Sequence, residues 1–200
     1  NKVIVIINAS SEVGETQIED QTFPKRCGHL SEKSLISTGE MVGKIAAMAD
    51  ARTSDETLII ARTDAIAVEG FDAAEDRAEA YLEAGADVLF IEAPQDRAQL
   101  EQIAARFSKR IPLLANMVEG GATPITSADD LEDLGFSIVI FPGGIVRAVA
   151  RTAQDYYQSL AKHGSNKPFG ERMFDFDGLN AVIGTADMLK KGAHYYGSNS

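Results

Sequence analysis

The sequence contains a single cysteine, Cys27, in 200 residues. One thiol cannot form a disulfide within the chain, and a lone thiol is typical of proteins kept in a reducing compartment. This scarcity excludes a small domain held together by internal disulfides. We therefore expect a cytoplasmic protein.

Basic charge and long apolar runs are also scarce. Nineteen Lys and Arg stand against 30 Asp and Glu, a net charge of −11, whereas nucleic-acid binding needs a basic face. The longest apolar runs, residues 3–7 and 138–141, are far shorter than the roughly 20 residues that span a bilayer. We expect neither a nucleic-acid partner nor a membrane partner.

Two kinds of binding motif are missing. No His or Cys pair has the spacing of a zinc site,. Gly143-Gly144 is too sparse and too late in the chain to be the glycine-rich phosphate turn of a dinucleotide-binding sheet,. These absences argue against zinc chemistry and against an open, doubly wound sheet.

What the sequence does have is a regular alternation of short apolar runs and amphipathic segments. The runs predict strands at 3–7, 58–61, 88–91, 112–115 and 138–141, and residues 174–189 predict one further helix,. Ser37 is a typical helix cap, residues 72–75 are expected to cap another helix at its start, and residues 127–134 predict a short helix that Gly135 ends,. Alternating strands and helices predict a parallel α/β sheet, which we interpret as a TIM-type (β/α)8 barrel. We expect a partial barrel over 1–164 and a C-terminal helical segment over 165–200.

Polar residues follow several of these strands, at Glu19, Arg62, Glu92 and Asn116. In such barrels the active site is built at the carboxyl ends of the strands. Arg62 could grip a substrate carboxylate with two hydrogen bonds, or form an ion pair with Asp64 or Glu69. Glu92 and Asn116 could equally be caps or bonds between loops. Their position at successive strand ends favours one shared site.

Residues 18–29 combine two carboxylates, two fixed cations, an imidazole and the thiol. Lys25, Arg26 and His29 would favour a thiolate at Cys27, and Gly28 would let a ligand approach the backbone. The thiol could then be a nucleophile or a proton donor, although a lone cysteine is often only a small buried apolar residue. Glu19 and Asp20 are adjacent on a strand, so at most one of them faces the site.

The segment Lys25-Arg26-Cys27-Gly28-His29 resembles the signature loop of the isocitrate lyase/phosphoenolpyruvate mutase superfamily. The resemblance is strongest to its 2-methylisocitrate lyase and carboxyphosphonoenolpyruvate phosphonomutase branches. The matching segments, in order, are 18–21, 25–29, 61–65, 69–74, 83–87 and 114–117.

This resemblance implies a (β/α)8 barrel, a homotetramer that exchanges a C-terminal helix between subunits, Mg²⁺ with Mn²⁺ as an alternative, and a small di- or tricarboxylate substrate. It also implies roles for individual residues of this chain. Cys27 would be the acid/base with Lys25 beside it, Gly28 and His29 would hold one substrate carboxylate, Arg62 another, Glu92 and Asn116 would complete the pocket, and Glu19 would belong to the metal shell.

The implied activity is a Mg²⁺-dependent carbon–carbon lyase that cleaves a 2-methylisocitrate-like or dimethylmalate-like 2-hydroxy acid to an α-keto acid and a dicarboxylate. A phosphonomutase acting on carboxyphosphonoenolpyruvate or phosphoenolpyruvate, and an oxaloacetate hydrolase or decarboxylase, are the alternative enzymes. The chain departs from the superfamily at 3–10, where a metal-binding Asp-x-Asp-Thr-Gly-Tyr-Gly segment is expected. We therefore expect the N-terminal barrel strands to be missing or misassigned in this sequence. An inactive, carboxylate-binding barrel remnant is the non-enzymatic alternative.

Overall fold

The computed structural model describes residues 4–6, 15–25, 33–54, 56–124 and 126–196. The chain divides into two compact units, Asn1–Gly144 and Ile145–Ser200. In the described part of the first unit the elements are β1 (Ile4–Ile6), β2 (Glu15–Glu19), α1 (Thr38–Ala51), β3 (Leu58–Thr63), α2 (Phe71–Glu83), β4 (Val88–Ile91), α3 (Arg97–Phe107), β5 (Leu113–Asn116), α4 (Ala128–Leu134) and β6 (Ile138–Ile140).

All six described strands lie in one sheet, in the order β1-β6-β5-β4-β3-β2, and every neighbouring pair is parallel. From β2 to β6 each strand is followed by a helix, as parallel neighbours require a crossover connection,. The predicted α/β fold with a parallel sheet is confirmed. β1 and β2 are the two edges of this sheet, so its described part is open and not closed into a barrel.

Alternate residues of the central strands pack into two different apolar clusters, because successive strand side chains point to opposite faces. The smaller cluster defines what we call the inner face, and the larger one joins the other face to the helices. The inner-face positions continue past the apolar residues into polar ones at the carboxyl ends of the strands. The inner-face apolar residues are Leu58, Ile60, Val88, Phe90, Leu114, Ile138 and Ile140.

Helix ends follow the local sequence signals with one exception. Ser37 and Ser127 cap α1 and α4 by accepting hydrogen bonds from backbone N–H groups three residues on. Gly135 ends α4 at a φ of 109°, and a Cβ there would lie 2.9 Å from the Cβ of Ser108. The predicted start of α2 at Asp72 is wrong: the helix begins at Phe71, and its cap position is Gly70, with a φ of 97° and no side-chain cap.

The second unit holds α5 after its first residue, together with two shorter helices. The bounds are α5 (Gly144–His163), α6 (Phe176–Val182) and α7 (Thr185–Tyr196). The single helix predicted over 174–189 is wrong, because Gly184 takes a φ of 70° between α6 and α7. None of the residues in these three helices is buried, and Phe176 and Leu189 are 84% and 70% exposed.

The sequence predicted a domain boundary after residue 164, at the end of α5. The boundary between the two compact units falls instead after Gly144, the first residue of α5. Exchange of the C-terminal segment between subunits stays a prediction. Within the described ranges, no helix has both the length and the apolar character needed to cross a membrane.

Candidate active site

Four polar side chains meet at the carboxyl ends of β2 to β5. Glu19 is in register with Arg62 on the neighbouring strand, and Arg62 Nε lies 3.3 Å from Glu19 Oε2. Arg62 Nη2 lies 3.6 Å from Glu92 Oε1, and Asn116 Nδ2 donates to Glu92 Oε2 at 3.2 Å. The structure thus brings together the four residues that the sequence placed at strand ends, in one continuous chain of contacts. Their roles in catalysis stay predictions.

Asp64 is a member of this site that sequence reasoning considered only as a structural partner. Its carboxylate accepts two hydrogen bonds from Arg62, one from Nε at 2.9 Å and one from Nη2 at 3.0 Å. Asp64 is 0% exposed, and the Arg62 guanidinium also lies over the Phe90 ring, 4.8 Å from its centroid. Glu69, the other partner suggested for Arg62, binds Arg77 instead. The two-residue spacing between Arg62 and Asp64 was the available signal.

Two lysines complete the group of charges. Lys25 Nζ lies 3.0 Å from Glu19 Oε1, while its predicted place beside Cys27 stays a prediction. Lys33 Nζ lies 3.4 Å from Asp64 Oδ1, and its side chain is 1% exposed. Lys33 was not predicted from the sequence, because it belongs to no segment with the regular spacing of apolar residues that marks a strand or a helix. We call Glu19, Lys25, Lys33, Arg62, Asp64 and Glu92 the charge cluster.

Three predicted site residues cannot be placed. Cys27, Gly28 and His29 lie outside the described residues. Lys25 and Lys33 stand on either side of them in the sequence, and both contact carboxylates of the charge cluster. The described lysines nearest to these three residues in the sequence therefore both belong to the site.

Asp20 faces the opposite side of the sheet from Glu19. It is fully buried and bonds to Thr63, Arg77 and Tyr81. The prediction that only one of the two adjacent carboxylates faces the site is confirmed, because side chains alternate along β2.

The charge cluster stabilises the ionised forms of its central pair. Burial opposes the charge on Arg62, but its hydrogen bond to Asp64 and the nearby charges of Glu92, Asp64 and Glu19 raise the pKa of Arg62 overall. Burial likewise opposes ionisation of Asp64, but the hydrogen bond and charge of Arg62, followed by the charge of Lys33, lower the pKa of Asp64 overall. A fixed cation therefore sits at the centre of the site, held by buried carboxylates.

Asn116 adds an acceptor that the described part of the chain leaves unused. Its Nδ2 donates to Glu92, while Oδ1 is buried and has no hydrogen-bond partner among the described residues. A buried acceptor without a donor is costly, and a ligand hydroxyl would satisfy it. The site can thus offer a cation to a carboxylate and an amide oxygen to a hydroxyl.

The described residues do not form a metal centre by themselves. Among them no group of three His, Cys, Asp or Glu side chains stands close enough to hold an ion. The carboxylate of Glu19, the predicted metal ligand, lies against Lys25 and Arg62. Because these cations lie on the carboxylate oxygens that a divalent ion would need, the described residues alone do not complete a metal site, and we derive no chemical step through one.

Replacing Asp64 by asparagine should lower stability in a pH-dependent way. Removing one member of a buried ion pair costs about 3–5 kcal/mol of unfolding free energy. The folded-state pKa of Asp64 lies below the ordinary aspartate value of about 3.9,. Its stabilising contribution is therefore present above that value and is lost as the pH falls through the lower folded pKa.

Urea unfolding of wild type and Asp64→Asn from pH 7 to pH 2 measures this effect. The difference should be large at pH 7 and should shrink below about pH 3.9. Asp76→Asn, at an exposed ion pair with Arg106, is the matched control and should remain close to wild type. A deficit of equal size at pH 7 and pH 2 would contradict the assignment of the charge to Asp64.

The six described strands form a parallel α/β sheet, and charged side chains converge at the carboxyl ends of these strands. This arrangement defines the class of βα proteins that bind ligands at the carboxyl edge of the sheet. The sequence model for phosphoenolpyruvate phosphomutase matches residues 7–161. The chain belongs to the phosphoenolpyruvate phosphomutase family, as the resemblance predicted.

Three similar proteins place the chain more closely. The 2-methylisocitrate lyase of Bacillus subtilis (strain 168) is 46% identical over 157 residues, which are 78% of this chain and 51% of that protein. A crystal structure of 2,3-dimethylmalate lyase, a member of the PEP mutase/isocitrate lyase superfamily, matches with a TM-score of 0.84 and 34% identity, over 92% of this chain and 61% of that one. Phosphonopyruvate hydrolase in complex with oxalate and Mg²⁺ matches with a TM-score of 0.75 and 27% identity, over 92% and 63%. The chain thus spans about half the length of the Bacillus relative.

Proposed function

We propose that this chain acts as a carbon–carbon lyase that cleaves a 2-methylisocitrate-like or dimethylmalate-like 2-hydroxy acid. The observation that carries the proposal is Arg62, a cation with a 12% exposed side chain at the carboxyl end of β3, in contact with Glu19, Asp64 and Glu92. Two of the similar proteins are a 2-methylisocitrate lyase and a 2,3-dimethylmalate lyase. Their substrates are 2-hydroxy acids with more than one carboxylate.

Substrate binding would use groups that the described contacts leave available. The ion pairs of Arg62 involve Nε and Nη2, so Nη1 can bind a substrate carboxylate while Asp64 keeps the guanidinium in place. Asn116 Oδ1 can accept the 2-hydroxyl hydrogen bond. Both groups stand on the inner face, so one small acid could contact them together.

The proposed reaction divides the bond between the hydroxyl-bearing carbon and its neighbour. When the hydroxyl loses its proton, its carbon becomes the carbonyl of an α-keto acid, and the electron pair of the broken bond stays on the neighbouring carbon beside a carboxylate. That carbon then needs a proton. The resemblance assigns this proton to the thiol of Cys27, with Lys25 beside it and Gly28 and His29 on a substrate carboxylate.

We keep Mg²⁺ as the proposed cofactor, with Mn²⁺ as an alternative, on the strength of the related hydrolase that binds Mg²⁺ and oxalate. A bound divalent ion would supply positive charge to stabilise negative charge that develops on substrate oxygens. Glu19 is the one described residue that we assign to its surroundings, and further ligands would have to come from outside the described residues.

We also propose that the protein assembles as a homotetramer with exchanged C-terminal helices, in the cytoplasm. The proposal is supported by the large apolar side chains that α6 and α7 leave exposed, since contiguous exposed apolar surface usually marks a contact site. Light scattering coupled to size-exclusion chromatography should give about four times the chain mass of 21.5 kDa, and a monomer would contradict the assembly. The exposed residues are Phe174, Phe176, Leu179, Val182, Ile183, Met188 and Leu189.

The test of the lyase is an assay of the purified protein with Mg²⁺ and 2-methylisocitrate or 2,3-dimethylmalate. Pyruvate should appear, coupled to NADH oxidation by lactate dehydrogenase, and EDTA should abolish it. A new carbon–phosphorus signal in ³¹P NMR with carboxyphosphonoenolpyruvate would instead identify a phosphonomutase. Oxalate from oxaloacetate would identify a hydrolase. Binding of these acids without any product would contradict the lyase and leave a carboxylate-binding protein.

A further inference from the structure

The chain between β2 and α1 is closed at its base by a two-stranded neck, which we define as residues 20–22 and 34–36. Lys25 and Cys27 lie between these two strands in the sequence. Its backbone contacts are Ile36 N to Asp20 O at 2.8 Å, Thr22 N to Ser34 O at 2.9 Å, and an antiparallel bridge between Gln21 and Leu35.

The neck begins at a buried carboxylate that four donors saturate. Asp20 Oδ2 accepts from Thr63 Oγ1 at 2.7 Å, from Tyr81 Oη at 2.8 Å and from Arg77 Nη1 at 3.4 Å. Asp20 Oδ1 accepts from the backbone N–H of Asp64 at 3.0 Å. A buried carboxylate is tolerated only when it is bonded in this way, and these bonds fix its position on the helix side of the sheet.

Arg77 joins the two strands of the neck to α2. Its Nη1 also donates to Ile36 O at 3.0 Å and lies 3.2 Å from Tyr81 Oη. Nε and Nη2 are held by the two oxygens of Glu69, each at 2.7 Å. One guanidinium thus contacts the outgoing strand through Asp20 and the returning strand through Ile36, while Glu69 fixes its orientation.

The same network reaches the charge cluster. The Asp64 backbone N–H bonds to Asp20, while the Asp64 side chain orients Arg62. The side chain of Gln21, in the neck, is also hydrogen-bonded to Asp64. Any shift of Asp20 would therefore move both the neck and the partner of Arg62.

We propose that Arg77 and Tyr81 are positioning residues, which act through Asp20 to hold the neck and the backbone of Asp64, the partner of Arg62, at a fixed place. The inference rests on the lyase function proposed above. Neither residue touches the inner-face contacts of the site. Their contribution to turnover would be geometric, since small displacements of a catalytic group are enough to lower the rate.

The test compares Tyr81→Phe, which removes one hydroxyl, and Arg77→Lys, which keeps the charge but loses the planar fork. Hydrogen exchange measured by mass spectrometry should be about tenfold faster in peptides covering the neck amides of Thr22 and Ile36. Peptides from β4 should exchange as in wild type. In the lyase assay kcat should fall about 10- to 100-fold while KM stays within about twofold.

Arg110→Lys is the matched control, because Arg110 pairs with Glu79 of α2 and does not contact the neck. It should leave exchange and turnover unchanged. The positioning role is contradicted if neck exchange in Tyr81→Phe equals wild type, or if it rises while kcat is unaffected. Equal acceleration across β4 and the neck would point to general destabilisation and would also count against it. The hydrogen-exchange measurement does not require an active enzyme. An inactive wild type would therefore contradict the lyase function, and hydrogen exchange would still decide whether Arg77 and Tyr81 hold the neck.

Discussion

Arg62→Met is expected to lower both stability and turnover. In the folded protein this cation contacts Asp64 and Glu92, which are 0% and 1% exposed, and also Glu19. Methionine would leave buried carboxylates without their shared counter-charge, which costs about 3–5 kcal/mol of unfolding free energy. The loss of a buried partner for the substrate carboxylate should cost a further roughly 2–5 kcal/mol of transition-state binding, or about 30- to 5,000-fold in kcat/KM.

Urea unfolding and steady-state kinetics measure the two effects separately. Arg62→Lys should recover part of the stability but little of the turnover, because a single ammonium cannot hold Asp64 with two parallel hydrogen bonds and also present a separate donor to the substrate. Arg97→Met, which removes an exposed pair with Glu101 on α3, should match wild type in both measurements. An Arg62→Met protein of wild-type stability would show that the charge cluster does not depend on its central cation.

Cys27→Ser should abolish most turnover and leave substrate binding in place. A serine hydroxyl is a far weaker acid than a thiol, so the carbanion left by cleavage would lack its proton donor. General acid catalysis contributes typically 10²- to 10⁴-fold, and we expect a fall in kcat of about that size. Isothermal titration with substrate should give a dissociation constant close to that of wild type.

The single cysteine of the sequence provides a chemical version of the same test. Iodoacetamide should inactivate wild type in step with the alkylation of one thiol, and substrate should slow both. Cys27→Ala should be as inactive as Cys27→Ser and insensitive to the reagent. Retained turnover in either variant would remove the proton-donor role from the thiol.

The inner-face site was predictable because two simple periodicities locate it. Strand side chains alternate, and parallel strands present their carboxyl ends at one edge, so Arg62, Glu92 and Asn116 could be expected to meet there. The caps at Ser37 and Ser127 and the helix end at Gly135 were likewise local signals that the structure follows. The Lys25–Glu19 contact was not predicted, because the resemblance placed Lys25 beside Cys27 and Glu19 in the metal shell.

Other features depended on contacts between distant parts of the chain. Lys33 reaches Asp64 across 31 positions, and Tyr81 reaches Asp20 across 61. Nothing in their immediate neighbourhoods distinguishes these side chains from ordinary members of a loop or a helix face. The break at Gly184 was missed because a glycine inside an apolar period can either continue a helix or end it, and the surroundings decide which.

The sequence by itself determined the alternation of strands and helices in the first unit, the inward set of apolar residues and the family. Those properties depend on short-range periodicity and on motifs a few residues long. Tertiary structure alone decided which carboxylate neutralises which cation, that Asp20 turns away from Glu19 to bind α2, and that Arg77 ties both ends of the neck. Such pairings form between residues that are far apart in the chain. Electrostatic and hydrogen-bond energies depend on distances of a few ångströms and on burial, and local sequence spacing encodes neither the distance nor the burial.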